Sequence, residues 1–203
     1  SVGQNSLFLS LVLTMITCIV LGMGIPTIPN YIITSSIAGP ALLELGVPLI
    51  VSHMFVFYFG ILADLTPPVA LACFAAAPIA KESGLKISTE AIKVAAAGFV
   101  IPFMAVYTPA LMLQDGGPLA DQIGYVPAVI YIVAKVVLAI GLWGAAVIGF
   151  LGGRLGWPLR ALGMVAAFTL VAALPLTDEI GFALTAVFAL LAWRQMRVSA
   201  ETA

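Results

Sequence analysis

Charge is what this sequence has least of. Of 203 residues, 8% are charged and 63% are hydrophobic, and the mean hydropathy is +1.19. A soluble domain carries about 25% charged residues, so the composition excludes that class and assigns an all-α, polytopic membrane protein. The apolar runs are continuous, which excludes a membrane β-barrel built from alternating strands of about ten residues. A net charge of -1 leaves no broad basic surface, and nucleic acid is not expected as a partner. Cysteine is also scarce: Cys18 and Cys73 both lie inside apolar segments, without metal or redox spacing, and read as small core hydrophobes. No paired His/Glu metal motif, Gly-x-Ser-x-Gly elbow or Walker loop occurs. An enzyme is therefore not expected, nor an organic cofactor, nor ATP hydrolysis. The opening Ser1-Val2-Gly3-Gln4-Asn5 lacks both Met and a basic n-region. The chain is expected to be the C-terminal part of a longer protein, or one piece of a larger assembly.

What the sequence does have is long apolar segments, two of them broken in the middle. The first covers 6–43: an arm Leu7–Leu21, the interruption Gly22-Met23-Gly24-Ile25-Pro26-Thr27, and a second arm Ile28–Leu43. The second covers 47–80: Val47–Leu62, then Asp64-Leu65-Thr66-Pro67-Pro68, then Val69–Ala80. A polar linker Lys81–Glu90 follows, with Ser88 expected to cap the next helix. Four further spans are predicted at about 91–113, 126–151, 157–175 and 180–197, the first kinked by Pro102 and Pro109. The division is thus a core at 1–113 and three additional helices at 114–203.

Basic residues fall in every second loop. Lys81, Lys86 and Lys93, then Arg154 and Arg160, then Arg194 and Arg197 alternate with Asp115 and Asp121 and with Asp178 and Glu179. The positive-inside rule places 81–93, 153–160 and the C-terminus in the cytoplasm. Counting back, both ends of the first broken segment lie outside. A re-entrant hairpin and two full spans both satisfy this, and the Gly-Met-Gly-Ile-Pro run favours a buried tip.

Lipid offers no hydrogen bonds to a broken backbone, so such breaks survive only where protein or a cavity satisfies them. Paired breaks point to the substrate and ion site of a secondary transporter. Gly22 and Gly24 let the chain turn and bring carbonyls close to a ligand. Pro26 stops the first arm, and Thr27 and Asn30 offer side-chain oxygens at the start of the second. Pro67 and Pro68 disturb carbonyls about one turn earlier, near Ala63 and Asp64, with Asp64 and Thr66 alongside. An intramembrane Asp is a functional candidate because its burial is costly. Oxygen ligands without nitrogen or sulfur suit a hard cation, with a metal site near Gly22, Gly24, Thr27, Asp64 and Thr66. His53 lies 11 residues before Asp64, close enough to share a face, and reads as structural. Lys135, inside a predicted span, is expected to snorkel or to pair.

The stretches Leu21-Gly22-Met23-Gly24-Ile25-Pro26-Thr27, Val56-Phe57-Tyr58-Phe59, Asp64-Leu65-Thr66-Pro67-Pro68-Val69-Ala70-Leu71, Ile101-Pro102-Phe103 and Pro109-Ala110-Leu111 together resemble one family. It is the C-terminal half of the large membrane subunit of TRAP (tripartite ATP-independent periplasmic) transporters, closest to the fused permeases that work with TAXI-type binding proteins. The resemblance covers about 5–113. It implies an elevator-type secondary transporter with two inverted repeats, only the second of which lies in this chain. It also implies Na⁺ as coupling ion, bound where hairpin tip and broken helix meet. Gly22, Gly24, Pro26 and Thr27 would form the tip, and Asp64, Thr66, Pro67 and Pro68 the break. The implied partners are a periplasmic solute-binding protein, the first repeat, the small membrane subunit and inner-membrane lipid, and the implied cargo is an organic acid. Two other readings stay open: a Na⁺- or H⁺-coupled elevator without a binding protein, and a structural membrane subunit with no ligand.

Overall fold

In a computed structural model, residues 7–114, 117–172 and 176–201 are described. Residues 1–6, Asp115 and the side chain of Arg197 lie outside the described residues. The chain is all-helical, and forms two compact units, Ser1–Gln114 and Asp115–Ala203.

The first unit contains α1 (Leu7–Gly22), α2 (Thr27–Glu44), α3 (Leu49–Leu62), α4 (Leu71–Ala80) and α5 (Gly84–Tyr107), followed by a 3-10 turn at Pro109–Met112. α1 and α2 form a hairpin against α3, whose other side packs on α5, and α4 packs on α5. The core is aromatic and centred on α3. Phe55 and Phe59 are almost fully buried and both stack edge-on against Phe103 of α5, at 5.3 and 5.8 Å between ring centroids. Phe8 of α1 reaches the same ring at 5.9 Å. Three helices thus share one aromatic cluster, whose offset and edge contacts add about 0.5–1.5 kcal/mol per pair beyond burial.

Two boundaries differ from the sequence expectation. α5 starts at Gly84, not near residue 91, because Ser83 is the N-cap and its hydroxyl accepts the Lys86 N–H. Ser88 lies inside the helix, buried, and donates to the Leu85 carbonyl. Pro102 is accommodated within α5, whereas Pro109 follows its end at Tyr107 and opens the 3-10 turn.

The second unit holds α6 (Gly117–Ile123), α7 (Tyr125–Ile148), α8 (Trp157–Val171) and α9 (Thr177–Glu201). α8 packs on both α7 and α9. Small residues set the spacing: Ala146, Gly163 and Ala166 let Phe188 fill the centre. Arg160 closes the α7 C-terminus, donating Nε–H to the Ala146 carbonyl and an η N–H to the Val147 carbonyl, both at 2.7 Å. These are among the carbonyls a helix end leaves unpaired. By length and composition, α5 and α7 are long and apolar enough to cross a membrane. α8, at 15 residues, covers about 22 Å, less than the roughly 30 Å hydrocarbon core expected of it.

Asp178 does not lie in a loop. It occupies the first turn of α9, and its carboxylate accepts from Lys135 Nζ at 2.8 and 2.9 Å and from the Tyr131 hydroxyl at 3.0 Å. Lys135 is 8% exposed. Removing one partner of a fully buried pair costs about 3–5 kcal/mol, while neutral replacement of both is far less damaging. Asp178 retains 32% side-chain exposure, which lowers that cost. Lys135→Met is therefore expected to depress the melting temperature in detergent, and adding Asp178→Asn to recover most of it. A double variant as unstable as the single one would mean the charges themselves are not what matters.

Candidate functional site: hairpin tip and helix break

Sequence and backbone chemistry explain why the chain breaks where it does. α1 stops at Gly22, and the tip runs through Gly24, whose φ of +82° is left-handed backbone that favours glycine. Pro26, at φ -56°, is the N-cap of α2 and offers no side-chain cap to its first turn. The second break runs from the end of α3 at Leu62 to α4 at Leu71 and contains Pro67 and Pro68, joined by a cis peptide bond. It ends on Ala70, fully buried at φ +39°, a strained conformation for a residue with a β-carbon.

The carbonyls at the end of α3 can be accounted for one by one. The Ile61 carbonyl accepts the Asp64 N–H at 3.0 Å. The Leu62 carbonyl accepts the Leu65 N–H at 3.1 Å and the Thr66 hydroxyl at 2.7 Å. The Gly60 carbonyl is satisfied from the hairpin, by Asn30 Nδ2 at 2.8 Å. The Ala63 carbonyl takes the Thr66 N–H and the Asp64 carbonyl the Ala72 N–H. This corrects the expectation of free carbonyls at Ala63 and Asp64: the break folds into tight turns that use them. Among the described residues of the two breaks, the carbonyls without a backbone hydrogen bond are those of Met23, Gly24 and Ile25 at the tip and of Leu65, Pro67, Pro68 and Val69 in the helix break.

Tip and break meet. A β-carbon on Gly22 would lie 2.8 Å from Asn30 Nδ2, 2.9 Å from Ala63 Cβ and 2.9 Å from the Gly60 oxygen. On Gly24 it would lie 3.8 Å from Val69 Cγ1. Asn30 is 3% exposed, and its Oδ1 is buried without a hydrogen-bond partner. Thr34, fully buried one turn on, donates to the Asn30 carbonyl at 2.7 Å and steadies that turn. Asp64 and Thr66 are half-buried in the break, and Thr27 is exposed at the tip. The Asp64 carboxylate has no hydrogen-bond or ion-pair partner among the described residues. Pro26 and Pro68 are exposed and Pro67 is half-buried.

His53 belongs elsewhere. It is bonded through Nδ1 to the Tyr31 hydroxyl at 2.8 Å, tying α3 to α2 beside Phe57. Sequence reasoning did not assign Gly60, Val69 or Ala70 to the site, and it picked out Ala63 for its carbonyl but not for its contact with the tip. A glycine about two turns before the Pro-Pro break was the available signal for Gly60; nothing marked Ala70. No cluster of His, Cys, Asp and Glu able to hold a metal occurs among the described residues, so any cation here would rely on amide, hydroxyl, carbonyl and single carboxylate oxygens.

Residues 1–120 match the family described as the tripartite ATP-independent periplasmic transporter, DctM component. No curated protein and no solved structure matches the chain. The match spans more than half of the sequence and contains the whole hairpin and both halves of the broken helix, so the chain belongs to the DctM family, a membrane component of TRAP-type transporters.

Proposed function

We propose that this chain is the permease portion of a Na⁺-coupled secondary transporter that imports an organic acid delivered by a periplasmic solute-binding protein. The observation that carries the reading is the buried, unpaired Asn30 Oδ1 at the contact of hairpin tip and helix break. Hard cations take oxygen ligands, and the donors here are all oxygen: Asn30 Oδ1, the unbonded tip and break carbonyls, Thr27, Thr66 and the Asp64 carboxylate. The C-terminal end of α3 adds the negative end of a helix dipole. The residues therefore fit Na⁺. With the ion bound, these dipoles are neutralised; the chain's own part is to hold tip against break and to release them when the ion leaves. Gly22, Gly24, Pro26, Pro67 and Pro68 shape the two turns. We place the chain in the bacterial inner membrane with its C-terminus cytoplasmic, working by an elevator motion alongside the first repeat and the small membrane subunit.

The test is uptake by the complete permease in proteoliposomes, with its binding protein and candidate organic acids, with and without an inward Na⁺ gradient. Uptake is expected to need both Na⁺ and the binding protein, and to fall severalfold in Asp64→Asn and Thr27→Ala. Asp64→Asn preserves volume and Thr27 is exposed, so neither change is expected to disturb packing, and normal uptake in both would favour a structural subunit. The unpartnered Asp64 carboxylate supports one second reading, H⁺ coupling, and uptake driven by a proton gradient alone would establish it.

A further inference from the structure

We propose that one end of the second unit binds an anionic phospholipid, with its headgroup on Arg154 and Arg194 and an acyl chain in a groove between α8 and α9. Three elements bring basic residues to this end. Arg154 lies in the α7–α8 loop, Arg160 in the first turn of α8, and Arg194 near the end of α9. Gln195 ties them together, donating Nε2–H to the Arg154 carbonyl at 2.8 Å. Arg154 and Arg194 are exposed and form no ion pair among the described residues. Arg160 spends its donors on the Ala146 and Val147 carbonyls but keeps its charge, stacked over the Trp157 ring at 4.8 Å.

Between residues 145 and 195 the only acidic residues are Asp178 and Glu179, in the first turn of α9. Sixteen residues separate Asp178 from Arg194, about 24 Å along the helix and well beyond the Debye length of about 8 Å. The groove holds about 500 Å³ and is lined by Gly156, Pro158, Leu159, Leu162, Leu191 and Gln195. One of those six residues adjoins the arginines directly: Gln195 follows Arg194 in sequence and bonds the Arg154 backbone. Trp157, 74% exposed, and Trp193, 48% exposed, stand at the same end, as tryptophans do at a membrane–water interface. An aliphatic groove beside unpaired arginines and interfacial tryptophans matches both parts of an acidic lipid, whereas a soluble anion would leave the groove unused. Basic pockets between helices bind acidic headgroups in this way.

The whole chain, purified in a neutral detergent, is titrated with phosphatidylglycerol brominated on its acyl chains, and separately with brominated phosphatidylcholine. Tryptophan quenching is the readout. Half-quenching is expected at a mole fraction at least about fivefold lower for phosphatidylglycerol, following the gain per arginine near an anionic surface. Arg154→Gln with Arg194→Gln should abolish that preference, and Leu191→Phe, which fills the groove, should weaken phosphatidylglycerol quenching. Glycerol phosphate, which has the anion but no chain, should not displace the lipid. Should the double variant not fold, raising salt to about 0.5 M on the unsubstituted protein screens the same charges and must erase the preference. Equal quenching by both lipids, a preference that survives the substitutions or the salt, or full displacement by glycerol phosphate would each overturn the proposal.

Discussion

Gly22→Ala is expected to lower transport by the complete permease roughly tenfold while leaving the protein folded. The added methyl would sit within 2.9 Å of three atoms at once, on Asn30, Ala63 and Gly60. Real β-carbons do not tolerate such contacts, and the Gly60 oxygen is backbone that cannot rotate away. Overpacking a close contact costs about 1–3 kcal/mol, and each 1.4 kcal/mol is about tenfold in an equilibrium. The loss falls on the docking of the hairpin tip, since the aromatic contacts of Phe8, Phe55 and Phe59 with Phe103 that join α1, α3 and α5 do not involve it. Gly24→Ala makes the matched control. Its space is nearly open, with only Val69 at 3.8 Å, and its cost is the left-handed φ of +82°, about 1–2 kcal/mol. Uptake measured on both variants should rank Gly22→Ala well below Gly24→Ala. The reverse order would mean the tip does not rest on α3 during transport.

Asn30→Ala is expected to destabilise the protein by about 1–3 kcal/mol, because it strands the buried Gly60 carbonyl that no backbone N–H reaches. Thermal melts of the purified protein measure this directly. Asn30→Asp separates two roles of the side chain. It keeps an oxygen where Oδ1 stands but removes the Nδ2 donor, so it should lose the Gly60 bond and still offer an oxygen ligand. Without cation Asn30→Asp should be at least as destabilised as Asn30→Ala, because it sets a buried carboxylate oxygen against the Gly60 carbonyl. If Oδ1 is a ligand, only Asn30→Asp should regain stability as Na⁺ is added.

Much of this was legible in the sequence, for reasons that differ between elements. The two breaks stood out because Gly-Met-Gly-Ile-Pro and Thr-Pro-Pro interrupt apolar runs that otherwise have nothing to stop them, and the helices end there within two residues of expectation. The contact between tip and break was not legible from composition, since it depends on small surfaces at Gly22, Gly60 and Ala63 meeting across 40 residues of chain. Nor was the partner of Lys135. Asp178 sits beside Glu179 after a proline-containing stretch and reads as loop, until α9 begins one residue earlier at Thr177. Ser88 misled because a serine followed by Thr89-Glu90 resembles a helix start, while Ser83 five residues before it does the capping.

We propose that hairpin tip and helix break together form one cation site. Its most direct test is the melting temperature of the purified protein in Na⁺ against choline at constant ionic strength, for the unsubstituted protein, Asn30→Ala and Asp64→Asn. An ion that binds only the folded state raises stability by mass action. An upward shift in Na⁺ is expected for the unsubstituted protein, and its loss when either the tip-side Asn30 or the break-side Asp64 is changed. Equal melting in Na⁺ and choline, or a full Na⁺ shift retained in both variants, would contradict it.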